Sequence, residues 1–576
     1  MPREGSKVAK GGDFDSHTLD DMRGMVTKWV SIPYGIVVVL VAGSAVNLVP
    51  YFLDLKDQLG FTPVQQELIR WGVLFGYYGG ILAGPIVDGL GTTISFIVAA
   101  LIAGGGFIGL AFYTDAAKVT TFNVVIIITL LLLVAFNCAI ATIAAIATII
   151  KNFSRNVGTM VTAVMISYYF LAPWFDTTIR HGYFEGIDLK TNMIATGIIQ
   201  FVVFILAAFI VDENEQSPRL KRASSVTDRL GVTIYAAIAG GFIALIYFTC
   251  IIAENYKVGV FLMALFILIN FIALGFTIQA LLGQINRSDT AHVGEERVPP
   301  RKSWHEMLRD VRYYCLLFGT FIVIGSGGTY YIEATSVANA MGKPDLGEKV
   351  NKAYWLSHAI ATLGGGLIAS LFVRVINGWL FAAAAAFSGM VGFGLVFLAT
   401  NGDFWFYLSA FFVGAAVGGW WVIVPQIIVD DAGPKSFEFL WGLTLTVNCA
   451  GLFWFERFFY WINEKTEPST PGDCKGTSCY AAPYIVSAGL CLVAGILAIV
   501  GFANDEGTGG SGGEKKPLRT SDKNAAGRKS RDKSATGKRE KSTGKREKST
   551  GKREKSTGRR DASEAKKSRS KSKDKK

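Results

Sequence analysis

The sequence predicts an all-α polytopic membrane protein: two pseudo-symmetric six-helix bundles joined by a two-helix insert, about fourteen transmembrane helices in all. Three observations carry this expectation. First, the 576 residues are 51% hydrophobic, and the apolar residues fall in long runs without charge. A run of about 20 residues at 1.5 Å rise crosses roughly 30 Å of hydrocarbon. Second, the chain repeats. Gly43-Ser44 through Gly60 aligns without a gap with Gly325-Ser326 through Gly342, and Gly79-Gly80-Ile81-Leu82-Ala83 aligns with Gly365-Gly366-Leu367-Ile368-Ala369. The second alignment sets Asp88 opposite Arg374. Repeats of this size in membrane proteins form facing bundles around a central cavity. Third, charge is segregated. Residues 504–576 hold 26 Lys and Arg against 11 Asp and Glu, while the rest of the chain holds 31 against 34. The net charge of +12 therefore belongs to a tail attached to a nearly neutral body.

Fourteen apolar stretches are visible: 29–53, 68–87, 93–113, 123–150, 157–175, 192–211, 231–253, 257–282, 313–333, 353–373, 378–399, 404–429, 437–462 and 483–503. None alternates with period two, so helices rather than a barrel span the bilayer. The organisation that follows is a cytoplasmic segment 1–28, a six-helix bundle 29–211, a linker with a two-helix insert 212–312, a second bundle 313–503 and a tail 504–576. Basic residues concentrate on the side that holds Arg3, Lys7, Lys10, Lys151, Arg155, Arg219 and the 287–312 loop, which predicts cytoplasmic N- and C-termini. Residues 1–28 are polar and lack the apolar core of a cleavable signal, so the first helix is expected to direct insertion. Ser303 followed by Glu306 forms a capping box, which predicts a short interfacial helix leading into 313–333.

The tail carries three tandem copies of Gly-Lys-Arg-Glu-Lys-Ser-Thr, at 537–543, 544–550 and 551–557. No position of the repeat is apolar, so the tail is expected to be disordered. Contact with anionic lipid and simple solvation are both open to it, whereas fourteen spans leave no place for a nucleic-acid role. Five cysteines (Cys138, Cys250, Cys315, Cys449, Cys491) sit in or at the edge of apolar segments as packing residues. Cys474 and Cys479 lie together in a Pro/Gly/Thr-rich outer loop and can close a small disulfide there. Both Asn-x-Ser sequons, at Asn152 and Asn286, fall on cytoplasmic loops.

Polar groups inside spanning helices are costly and so mark function. Ser44, Asn47 and Tyr51 share one helix face, and Ser326, Thr329, Tyr330 and Glu333 share the matching face of the second repeat. Glu333 is the one acid in these stripes; it can bind a cation, carry a coupling proton or cap its helix. His358 is the one histidine within a span, read either as a relay or ligand or as an interface side chain. Gly418-Gly419-Trp420-Trp421 and Pro425-Gln426 suggest close packing, a bend, and Trp421 and Gln426 as cavity wall. Asp88, Arg155 and Arg374 sit at turns where gating contacts form, with topology-setting charge an adequate alternative for the basic turn that begins at Lys151. Glu456-Arg457 lies in an aromatic belt and is expected to snorkel to the surface rather than neutralise buried charge.

These residues carry a resemblance. Glycine-spaced 68–87 ending in Asp88, the Asn152-Phe153…Asn156…Gly158 turn, Trp421…Pro425, and Lys28-Trp29-Val30…Gly43-Ser44…Leu55-Lys56…Leu59-Gly60 resemble the nodulin-like branch of the major facilitator superfamily over about 29–503. The resemblance implies an MFS-type fold and alternating access around a central site, for small solutes or metal ions. One departure stands out: the superfamily carries Arg or Lys after the aspartate, and Gly89-Leu90-Gly91-Thr92 offers neither. No Gly-x-x-x-x-Gly-Lys-Ser/Thr loop is present, so an ion gradient or facilitated diffusion would drive transport. The partners expected are a small-molecule or ion substrate and the lipid bilayer, with no cofactor and no enzymatic site. The alternative is a non-transporting sensor or scaffold with a partner-binding tail.

Overall fold

A computed structural model describes residues 16–44, 61, 63–116, 121–153, 160–170, 172, 188–211, 225–247, 249, parts of 257–272, 302–371, 377–466 and 475–509, all within one compact unit. The tail beyond Gly509, most of the second insert helix, and Asn47, Tyr51, Arg155, Arg374 and Cys474 lie outside the described residues. Among the described residues every regular element is helical.

The first half comprises α1 (Ser16–Ser44), α2 (Pro63–Tyr77), α3 (Gly80–Ala116), α4 (Thr121–Asn152), α5 (Met160–Phe170) and α6 (Leu189–Ile210). After α7 (Ser225–Tyr247) and the short α8 (Trp304–Met307) come α9 (Val311–Ala340), α10 (Pro344–Leu371), α11 (Gly378–Leu395), α12 (Asp403–Ala432), α13 (Phe437–Thr466) and α14 (Ala481–Gly509). Among the described residues seven stretches are long and apolar enough to cross a membrane. The apolar segments predict where these helices lie, but several helices run past them. α10 begins at Pro344 rather than 353 because proline and Asp345 suit a first turn, and a Glu348–Lys352 pair supports the polar turns that hydropathy cannot register.

The repeat is visible in the packing. α1 packs on α6, α2 on α4, α3 on α4 and α3 on α6; in the second half α9 packs on α14, α10 on α12, α11 on α12 and α11 on α14. The same four pairings in the same order make two pseudo-symmetric bundles. α3 itself contains a span boundary at Gly91, whose φ of 75° is reached cheaply by glycine, so one span ends near Leu90 and the next begins at Thr92.

Two seams join the halves. At the first, α13 crosses α2, α3 and α4. Gly80 and Gly442 meet backbone to backbone, so a Cβ on either would collide with the other's main chain. The helix is broken beside this contact, at Tyr78-Gly79, and α13 repairs the break. Thr446 Oγ1 accepts from Ile81 N (2.9 Å) and lies 3.1 Å from the carbonyl of Tyr78, to which it donates. Hydrocarbon offers no water for freed backbone groups, so a neighbouring hydroxyl must replace it. At the second seam α5 meets α10 and α12: a Cβ on Gly366 would strike Ala163, and Phe170 packs against rings of the second half.

The entrance to the second half is built as its sequence predicts. Ser303 caps α8 with a complete capping box, Ser303 N donating to Glu306 Oε2 (2.7 Å) and Glu306 N to Ser303 Oγ (3.4 Å). Asp310 then caps α9 by accepting from Arg312 N (2.9 Å), and Arg312 reaches on to Asp431 at the end of α12 (3.5 Å). Burial alone would raise the Asp310 carboxyl, but hydrogen bonds from Arg312 and Lys302 outweigh it and hold the group well below the usual carboxylate range.

The backbone contact at Gly442 leaves no room for a side chain. Gly442→Leu is expected to lower stability by about 1–3 kcal/mol through overpacking, whereas Gly89→Ala, with nothing within 4 Å of its Cβ position, should be near neutral. Thermal melts of the two purified variants in detergent check the contrast.

Candidate functional site

The interface between the halves has three levels along α13. Toward its C-terminal end, ten residues before Thr466, Glu456, 0% exposed, is ion-paired with Arg70 of α2. The surface-snorkelling expectation for Glu456 is therefore wrong: its place is the interface, because a cation is supplied from the opposite bundle rather than from water. At the N-terminal end Glu438, also 0% exposed, is ion-paired with Lys151 at the end of α4. Asp88 is exposed but close enough to Glu438 to act on it as a like charge. Glu438 and Glu456 are 18 residues apart, or about 27 Å along a helix. Eighteen residues is five whole turns, so one face of this helix carries two buried acids far apart along its length, each neutralised by the other half.

Between these levels the second seam gathers aromatic rings. Phe170 of α5 lies 4.5 Å from His358, 5.3 Å from Trp421 and 5.9 Å from Trp355, centroid to centroid. Trp421 is 5.6 Å from Trp441 of α13, which stacks in turn on Phe437. Among these rings His358 Nε2 and Trp441 Nε1 are buried without a hydrogen-bond partner, as is Gln426 Oε1 further along α12. Buried polar atoms are nearly always paired, so unpaired ones at a bundle interface mark where a ligand or water is expected. The cluster offers a ring face from the first half, Phe170, and ring faces and polar nitrogens from the second.

The sequence-derived candidates distribute unevenly over this geometry. His358 and Trp421 come together with Phe170. Ser44 is the last residue of α1, and Asn47 and Tyr51 lie outside the described residues. Ser326 donates to Ile322 O and faces Cys491 of α14 (3.8 Å), and Thr329 donates to Gly325 O. The Tyr330 hydroxyl lies 3.1 Å from Ser409 of α12. These three therefore make their contacts within the second bundle. Glu333 sits one turn further toward the end of α9, beside Tyr460 of α13. Arg155, Arg374 and Cys474 are not described, and Cys479 is disulfide-bonded. Among the described residues no three His, Cys, Asp or Glu side chains group as a metal site.

Sequence reasoning passed over Phe170, Trp441, Arg70 and Glu438. Arg70 and Glu438 carry a usable signal, since both are charges at the margin of apolar segments. Phe170 and Trp441 carry none, because aromatic residues are common throughout the spans.

No family model and no curated protein matches the chain. Among solved structures it is similar to XylE, a major facilitator superfamily proton:xylose symporter bound to 6-bromo-6-deoxy-D-glucose: 13% identity and a TM-score of 0.47 over 84% of this chain and 95% of that one. It is also similar to FucP, a major facilitator superfamily transporter in the outward conformation: 12% identity and a TM-score of 0.46 over 82% and 99%.

Removing one partner of a buried pair leaves an uncompensated charge, at a cost of about 3–5 kcal/mol, whereas removing both is far milder. Lys151→Met should therefore destabilise strongly, and Lys151→Met combined with Glu438→Gln should recover most of the loss. The same pattern is expected for Arg70→Met with Glu456→Gln, read as melting temperatures in a double-mutant cycle.

Proposed function

We propose that this chain is a secondary transporter of the major facilitator type, moving a small polar or charged solute, or a metal ion, by alternating access. The observation that carries the reading is the pair of ion pairs at opposite ends of α13. Each closes one end of the seam between two pseudo-symmetric bundles, and the ring cluster lies between them. Glu456–Arg70 would close the outer face and Lys151–Glu438 the cytoplasmic face, given termini in the cytoplasm. Opening one end admits water to that pair and lowers the cost of parting it, while the glycine contact at Gly80–Gly442 keeps the halves together.

In this reading the substrate meets Phe170, His358, Trp421 and Trp441. Ring faces take an apolar or planar surface of the solute, and the polar nitrogens take its hydrogen-bonding atoms. Ser44, Asn47, Tyr51, Ser326, Thr329, Tyr330 and Gln426 belong to the pathway or its supporting wall. Asp88, Arg155 and Arg374 tune the cytoplasmic closure. The nodulin-like branch supplies the finer family assignment, and the basic tail is proposed to touch anionic lipid.

Endogenous Cys449 tests the cycle without a known substrate. It is buried on α13 between the two ion pairs, with Sγ 3.8 Å from the carbonyl of Leu74 in α2. In a protein whose other free cysteines are replaced by alanine, a membrane-impermeant maleimide should label Cys449 slowly from either side. Glu456→Gln should speed labelling from the outer side only, and Glu438→Gln from the cytoplasmic side only. Labelling accelerated from the same side in both variants would rule out reciprocal gates and favour a static sensor.

A further inference from the structure

Glu333 faces a cavity of about 110 Å³ that is separate from the ring cluster. It is bounded by α9, by the end of α13 and by the Cys479-Tyr480 segment, and its polar lining comes from Glu333, Ser336, Tyr460, Asn463, Glu464 and Tyr480. Glu333 is only 2% exposed, yet its Oε1 has no hydrogen-bond partner. Asn463 Oδ1 and the Tyr480 hydroxyl are likewise buried and unpartnered. The lining is held in place: Gly476 N donates to Ala340 O (2.8 Å) at the end of α9, and Cys479 is disulfide-bonded. Arg70 acts electrostatically on Glu333, but its guanidinium is already hydrogen-bonded to Glu456.

We infer that this cavity binds one alkali cation of the Na⁺ class, with Glu333 Oε1, Asn463 Oδ1 and the Tyr480 hydroxyl as ligands and Glu464 at the rim. The donor set is all oxygen, which suits hard cations. A single buried carboxylate matches a single positive charge. A proton on Glu333 would make one O–H donor beside that of the Tyr480 hydroxyl, whereas a cation needs only the oxygen lone pairs that the site already presents. A cation satisfies all three at once. The volume admits the ion together with water. Use of the ion as a transport driver rests on the transporter reading above; its binding does not.

The test is thermal stability of the purified full-length protein as NaCl replaces choline chloride at constant ionic strength and pH. The wild type should be stabilised saturably by Na⁺. Asn463→Ala and Tyr480→Phe should raise the half-saturating concentration about 10–100-fold, the scale of losing a ligand or its support, and Glu333→Gln should lose the response while retaining the folded state by circular dichroism. A Na⁺ response unchanged in Glu333→Gln, no Na⁺ response in the wild type, or stabilisation that follows pH or Ca²⁺ instead would overturn the assignment. Glu333-dependent binding with normal reciprocal labelling of Cys449 but no Na⁺-driven uptake would overturn only the coupling role, and loss of reciprocal labelling would leave the binding site standing.

Discussion

A carboxylate buried in a helical bundle needs something to offset its lost hydration, and Glu438 and Glu456 each take a cation from across the seam. Glu438 and Glu456 belong to α13 of the second half, whereas Lys151 and Arg70 belong to the first. Neither bundle alone neutralises these acids, so the two halves are electrostatically incomplete without each other. The glycine contact sets where they can pivot. Gly442 is four residues from Glu438 and 14 from Glu456, about 6 Å and 21 Å along the helix. A rotation about that contact therefore moves the Arg70 end several times further than the Lys151 end. Thr446, one turn beyond Gly442, ties the broken backbone at Tyr78 to the same point. Desolvation, packing and backbone repair all converge on one short stretch of α13.

Much of the architecture was legible because hydropathy and glycine spacing are local properties of the chain. The Ser303–Glu306 box and the turn at Gly91 lie within a few residues of the signals that predict them. The repeat was legible for the same reason, as Gly79-Gly80 and Gly365-Gly366 mark close approach in both halves. The charge pairs were not, because the partners are separated by hundreds of residues: Arg70 and Glu456 stand 386 apart. Glu456 looked like an interfacial acid in an aromatic belt, and nothing in its neighbourhood disclosed a guanidinium on α2. Helical periodicity puts Ser326, Thr329, Tyr330 and Glu333 on one stripe, but a stripe does not say which neighbour it meets. Ser326 and Tyr330 meet α14 and α12, whereas Glu333 reaches a cavity.

The fold is symmetric and its chemistry is not. The seam of α13 with α2 and α3 and the seam of α5 with α10 occupy equivalent positions in the repeat, since each joins the fifth helix of one bundle to the second of the other. The first carries buried acids, cations and a backbone-to-backbone glycine contact. The second has no charged side chain along α5 from Met160 to Phe170, and presents instead Phe170 against His358 and Trp355. Had both seams been charged, parting either end would have meant separating four buried ions, at a cost that water entering one face could hardly offset. Had both been aromatic, nothing would have distinguished closed from open at either face. In the transporter reading proposed above, dividing the work between two equivalent seams would let one set the conformational equilibrium while the other shapes a binding surface. On that reading, divergence of the two repeats at these positions is what lets a symmetric scaffold couple a bound solute to a directional change.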